Sequence, residues 1–186
     1  MNTPIDISNV TLKTNRMIIR PWRQPDLDDF YEYASVDGVG QMAGWRPHKD
    51  KAESQTILDM FIAEKKTFAL EYEGKVIGSL GIERYNEKQF PELSEYRGRE
   101  IGYVLSKAYW GQGLMPEAVC EVIRYLFDDC GLDFITCAYF LTNRQSSRVQ
   151  EKCGFHFLKA VDYSTRMGTV EPSNANIIWR KEWAAK

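Results

Sequence analysis

Leu105-Ser106-Lys107-Ala108-Tyr109-Trp110-Gly111-Gln112-Gly113-Leu114-Met115-Pro116 is the stretch whose reading settles the architecture. Before it, Glu100-Ile101-Gly102-Tyr103-Val104-Leu105 reads as a strand. After it, Met115, Ala118, Val119, Val122, Ile123, Leu126 and Phe127 recur at three- and four-residue spacing, the pattern of a helix with one buried face. Pro116 suits a first helical turn, where a missing N–H is no loss, and Gly131 follows the helix end. A strand therefore runs through a short glycine-bearing loop into a helix N-terminus. Such a terminus offers unpaired N–H groups and about half a positive charge. Gly111 and Gly113 remove side chains where a ligand would approach the backbone, and no carboxylate lies between Tyr109 and Pro116. These features point to a phosphate or pyrophosphate site. The competing reading is an ordinary strand-to-helix turn. The loop matches neither G-x-x-x-x-G-K-[ST] nor G-x-G-x-x-G, which argues against the common nucleotide motifs.

Working outward, Met17–Trp22 reads as a first strand, and Pro25 with Asp26, Asp28 and Asp29 starts a helix that runs through Tyr33. A second helix is expected over Lys51–Lys65, with Ile57, Leu58, Phe61 and Ile62 on one face. The stretch between them, Gly38–Asp50, is irregular and carries Trp45, Arg46, Pro47 and His48. Phe68–Tyr72 and Lys75–Ile82 form a hairpin about Glu73-Gly74. Asn86–Arg99 reads as a polar loop, suited to cover an acceptor or to pack on another subunit of a homodimer. Phe134–Tyr139 is a strand, Gln145–Lys152 a short helix capped by Gly154, and Phe157–Tyr163 and Asn176–Trp179 are closing strands. This order predicts an α/β (α+β) fold, a mixed sheet with helices on its faces.

Composition sets the outer limits. A chain of 186 residues with 44% hydrophobic and 27% charged residues suits one domain spanning 1–186. A net charge of −2 gives no bulk attraction to nucleic acid or to an anionic membrane, so an anionic ligand needs a local site. Cys120, Cys130, Cys137 and Cys153 include no C-x-x-C, and His48 and His156 are the only histidines, which argues against a metal site. The polar start Met1–Asp6 does not look like a signal peptide, and no apolar run approaches the ~20 residues of a membrane span. The expectation is a cytoplasmic protein with reduced thiols.

Tyr109-Trp110-Gly111-Gln112-Gly113-Leu114-Met115-Pro116-Glu117-Ala118 resembles the acetyl-CoA loop of GNAT N-acetyltransferases, in the RimJ/RimL-like branch that acetylates ribosomal-protein N-termini. Asn143–Phe155 resembles that branch's N-x-x-S…E-K-x-G-F segment, and Leu12–Pro21 its opening strand. The three segments span nearly the whole chain. The loop departs from the superfamily pattern [QR]-x-x-G-x-[GA] in having Trp110 first and Met115 last.

The resemblance implies a GNAT fold in which the strand carrying Tyr103, Val104 and Leu105 splays from its neighbour and the pantetheine arm of acetyl-CoA fills the gap. A backbone N–H near Val104 would polarise the thioester carbonyl. The pyrophosphate would lie on the N–H groups of Gly111, Gln112, Gly113, Leu114 and Met115 after Trp110, with Asn143 and Ser146 near the pantetheine and sulfur. A neutral amine would then attack the thioester directly. Glu100 and Glu83 are the candidate bases, or else solvated strand-end acids, and Ser146 is the candidate donor to the leaving thiolate, or else a cap. Tyr103 and Tyr139 are weaker acid candidates. Trp45, Arg46 and His48 are expected to shape the amine site, with a packed loop as the alternative. Cys137, Cys153 and His156 read as structural, and Arg148 and Lys152 as a solvated helix face or ribose-phosphate contacts. The acceptor is a protein N-terminus or a small-molecule amine. A non-catalytic module that binds acyl-CoA to sense it or to assemble with a partner is the rival reading.

Overall fold

The computed structural model describes residues 1–183. Eight strands form one sheet: β1 (Leu12–Lys13), β2 (Met17–Pro21), β3 (Thr67–Tyr72), β4 (Lys75–Glu83), β5 (Gly98–Leu105), β6 (Phe134–Phe140), β7 (His156–Ser164) and β8 (Val170–Trp179). Their order is β1-β2-β3-β4-β5-β6-β8-β7. Every neighbouring pair is antiparallel except β5 and β6, which run parallel. The helices are α1 (Leu27–Ala34), α2 (Lys51–Glu64), α3 (Leu114–Arg124), α4 (Arg144–Cys153) and the short α5 (Arg180–Trp183).

Strand alternation divides the core in two. Ile19, Leu70 and Ile77 point to the face covered by α3 and α4, where they meet Leu114, Ala118, Val119, Val122 and Phe127. Trp22, Ala69 and Val76 point to the opposite face, under Phe30 and Tyr33 of α1 and Leu58 of α2. Helices thus cover both faces, as the sequence implies. Arg20, 5% exposed, ties the second layer together: its guanidinium meets Asp26 at 2.8 and 2.9 Å and Glu71 at 2.6 Å.

Several boundaries differ from expectation. β5 begins at Gly98, two residues early, because residues 98–100 pair with β6. β8 begins at Val170 and not Asn176, its first half being polar and paired to β7. The α3 helix passes into a π-helical turn at Tyr125–Asp129 before Gly131. The segment 86–97 is not a bare polar loop. Phe90 and Leu93, with Tyr85 just before, are buried against Phe134, Ala175 and Ile177. Lys159 Nζ donates to the Gln89 carbonyl at 2.9 Å. The segment therefore covers its own chain's β6 and β8. No helix among the described residues is long and apolar enough to cross a membrane.

Candidate active site

The site begins with a failure of pairing. β5 pairs with β4 from Glu100–Glu83 through Leu105–Gly78, but with β6 only at Gly98–Phe134, Arg99–Ile135 and Glu100–Thr136. Beyond Glu100 the two parallel strands diverge while β6 stays paired to β8 as far as Phe140. Backbone N–H and C=O groups of Ile101–Leu105 on that side have no strand partner. A cleft of about 500 Å³ opens there, reaching from Glu83, Glu100 and Tyr163 at one end to Gly111, Gly113 and Arg148 at the other.

At the far end the loop turns through Gly111 (φ 78°) and Gly113 (φ 76°), left-handed conformations that favour glycine. A side chain at Gly111 would meet open space, so the backbone there faces solvent. Gly113 is the N-cap of α3, and Leu114 and Met115 form its first turn. Two contacts fix the loop: Trp110 Nε1 donates to the Leu105 carbonyl at 2.8 Å, and Arg16 Nη1 donates to the Gln112 carbonyl at 3.0 Å. Arg16 also pairs with Glu117 at 2.7 Å, which offsets the one carboxylate in the first turn of the helix. Gln112 itself is exposed and turns away, its side chain on the Ala108 carbonyl. The donors, the open backbone and the local charge all suit an anion of pyrophosphate size.

Midway, the wall is built by Tyr103 of β5 and by α4. Asn143 caps α4 by accepting the Ser146 N–H at 3.1 Å, and its amide donates to the Met42 carbonyl at 3.2 Å. The Ser146 hydroxyl lies 2.9 Å from the Tyr103 hydroxyl. Burial, with the Cys137 thiol nearby, raises the Tyr103 phenol well above its usual range. Burial likewise raises the Cys137 thiol far above its usual value, so it stays protonated and is no nucleophile. Tyr139 lines the cleft and accepts from Asn174 at 3.1 Å.

The near end opens to the α1–α2 face. Glu100 and Glu83 stand directly opposite one another on β5 and β4 and both line the cleft. Lys66 pairs with Glu83 at 2.6 Å. Burial, with the charge of Glu83 adding to it, pushes Glu100 up to about 7, against a hydrogen bond from Thr136. Gly102 and Val104 share this face with Glu100. A Cβ on Gly102 would meet nothing within 4 Å, so the strand leaves open space beside the carboxylate. Met42, Phe140 and Tyr163 close the opening, the two rings 5.5 Å apart.

The structure places the expected amine-site trio of Trp45, Arg46 and His48 outside the cleft lining. His48 is buried, its Nδ1 2.7 Å from Ser54 Oγ and its ring against Phe30 and Trp45. Trp45 lies on Gly40, where a Cβ would come within 2.2 Å of its ring. Arg46 is exposed outside the cleft lining. These residues anchor the α1–α2 connection, and its Val39, Met42 and Ala43 reach the cleft instead. Sequence reasoning also passed over Gly102, Phe140 and Tyr163. A glycine inside a strand is a signal of close approach, and it would have singled out Gly102. His156 is an exposed strand residue 3.6 Å from Glu182. No group of three metal-ligating side chains occurs among the described residues.

Comparison with known proteins places the fold in a known family. The sequence profile described as "Acetyltransferase (GNAT) domain" matches residues 16–156. The chain is 30% identical over 151 residues to the uncharacterized N-acetyltransferase YoaA of Bacillus subtilis, covering 77% of this chain and 81% of that protein. An acetyltransferase (GNAT family) from Bacillus anthracis superimposes with a TM-score of 0.80 at 20% identity, over 93% of this chain and 100% of that one. RimJ of Mycobacterium smegmatis, solved in complex with CoA-disulfide, gives 0.75 at 18% identity, over 93% of this chain and 88% of that one.

Proposed function

The chain belongs to the GNAT acetyltransferase family and is an acyltransferase, and from that premise we propose that it moves an acetyl group from acetyl-CoA to a primary amine by direct attack on the thioester. The observation that carries this reading is the gap between β5 and β6, which leads from the N-terminus of α3 to a half-buried carboxylate. Bound in the gap, acetyl-CoA supplies a thioester carbon open to attack.

The chain's own groups fit the rest of the reaction. N–H groups of Gly111–Met115 receive the pyrophosphate, and the unpaired backbone of Tyr103–Leu105 aligns the pantetheine arm. An N–H near Val104 stabilises negative charge on the carbonyl oxygen as it develops. Glu100 takes the proton from the incoming ammonium, directly or through water. A carboxyl held near 7 is a stronger base than an ordinary glutamate and is still about half ionised at neutral pH. Lys66 beside Glu83 keeps that second carboxylate fixed on β4, where it lends negative charge to the amine end. Ser146, backed by Tyr103, faces the leaving sulfur. The acceptor is an amine on a polypeptide N-terminus or on a small molecule. It enters between Met42, Phe140 and Tyr163.

Calorimetric titration with acetyl-CoA, with ATP and NAD as controls, tests the donor. Micromolar binding of acetyl-CoA alone is expected. A panel of peptide α-amines and small amines, read by release of free CoA, then separates the two acceptor classes. Tight binding with no CoA release from any amine would convert the protein into a binding module; no binding would sink the proposal.

A further inference from the structure

Four polar side chains form a chain between the cleft wall and the core. Tyr103 Oη lies 2.9 Å from Ser146 Oγ, Gln150 Nε2 donates to Ser146 Oγ at 3.3 Å, and Asn176 Nδ2 donates to Gln150 Oε1 at 2.9 Å. Tyr103 and Ser146 line the cleft, whereas Gln150, fully buried, and Asn176, 7% exposed, stand behind it. Gln150 follows Ser146 by one turn of α4 and shares its face. Asn176 lies on β8, opposite Cys137 of β6.

Burying two amides costs free energy unless their groups are partnered, and an apolar pair of similar size would fill the space without that cost. The amides end instead on a hydroxyl of the cleft wall. Proton bookkeeping shows what they do there. A serine hydroxyl has one proton to donate and two lone pairs. Asn176 holds the Gln150 carbonyl end, so the N–H end faces Ser146 and occupies one lone pair. Tyr103 Oη, 2.9 Å from Ser146 Oγ, also donates to the Ser146 carbonyl at 3.2 Å, so either hydroxyl can donate to the other. With the Gln150 N–H occupying the core side of the hydroxyl, the serine proton is turned away from the core and toward the cleft wall, where Tyr103 and the cleft itself lie.

We propose that Gln150, held by Asn176, is a positioning residue that turns the Ser146 hydroxyl proton toward the cleft, where it donates to the sulfur of the acyl donor. This rests on the acyl-transfer reading for the identity of the sulfur. It has a binding signature of its own, independent of turnover. An aimed O–H favours a thiolate over a thiol, so affinity for free CoA rises with pH as its thiol ionises.

The test titrates the full chain with CoA at pH 7 and pH 9.5, with acetyl-CoA, which has no ionisable thiol, correcting for pH effects elsewhere. Wild type, Ser146→Ala, Gln150→Leu, Gln150→Glu and the Ser146→Ala/Gln150→Leu double variant are compared. In wild type the corrected affinity should rise about three- to tenfold. In every variant the rise should vanish, Gln150→Glu included, because it keeps shape and the Asn176 bond but offers an acceptor where a donor stood. Turnover should fall about 10- to 100-fold in Ser146→Ala and Gln150→Leu, with KM for acetyl-CoA little changed, and the double variant should be no slower than either. If Gln150→Leu does not fold, Gln150→Glu carries the same comparison. A Gln150 variant that keeps the wild-type rise, or losses that multiply in the double variant, would overturn the positioning role. A wild type with the rise but no turnover on any amine would count against acetyl transfer and leave the positioning role standing.

Discussion

At the scale of the residue, Glu100 and Glu83 decide the chemistry. Two carboxylates directly opposite on antiparallel strands repel, and the structure resolves the conflict unequally. Glu83 has Lys66 at 2.6 Å; Glu100 has burial and a neighbouring negative charge, and sits at about 7. The base form of Glu100 therefore grows as pH rises through about 7, and the rate should rise with it. Glu100→Gln should lower kcat by about 10²-fold and erase that limb of the pH–rate profile; an unaltered profile would exclude Glu100. The linkage has the opposite sign for stability. Because the folded-state value lies above the unfolded one, the folded protein binds the proton more tightly, and stability is lost as pH rises from about 4.5 to 7. Glu100→Gln should thus stabilise the fold by about 1–3 kcal/mol at pH 8 and leave it unchanged at pH 4, as read by thermal melts. The N-x-x-S segment points to Asn143 and Ser146, and strand positions point to Glu83, Glu100 and Tyr103; all five line one cleft. Trp45 and His48 show where that legibility stops. Their types suit an amine site, but Ser54 takes the imidazole and Gly40 seats the indole, pairings that no local pattern announces.

At the scale of the element, the loop into α3 is the most constrained piece of the chain. Its two left-handed glycines, the Trp110 bond and the Arg16 clamp hold a row of N–H groups facing solvent. Gly113→Glu should abolish acetyl-CoA binding in calorimetry, by strain at φ 76° and by negative charge at the anion site, while the variant keeps its far-UV CD. Unchanged affinity in a folded variant would remove the pyrophosphate assignment. This element was readable because two independent codes coincide: a 3.6-residue apolar repeat and glycines at its start. The first half of β8 was not, because Glu171, Pro172, Ser173 and Asn174 earn their place by pairing with β7, a partner a local window cannot see.

At the scale of the whole molecule, the apolar cluster of Tyr85, Phe90, Leu93 and Phe134 lies apart from the cleft lining. Phe90→Ala should cost about 3–5 kcal/mol in denaturant unfolding and leave acetyl-CoA affinity unchanged. A matching loss of affinity would show that the cluster supports the site. The polar composition of 86–99 hid this cluster, since two buried residues suffice to seat a segment that otherwise reads as solvated.

The divergence of β5 from β6 also governs how the molecule fluctuates. The sheet is continuous in strand count but not in its ladder: past Glu100 a fault line runs through its centre. Amides that point into that line have no strand partner, and they should take up deuterium far faster than those shared by β3 and β4. A donor lying in the fault would act as a removable ninth strand. Saturating CoA should slow exchange across residues 101–105 and couple two half-sheets that, when empty, open independently.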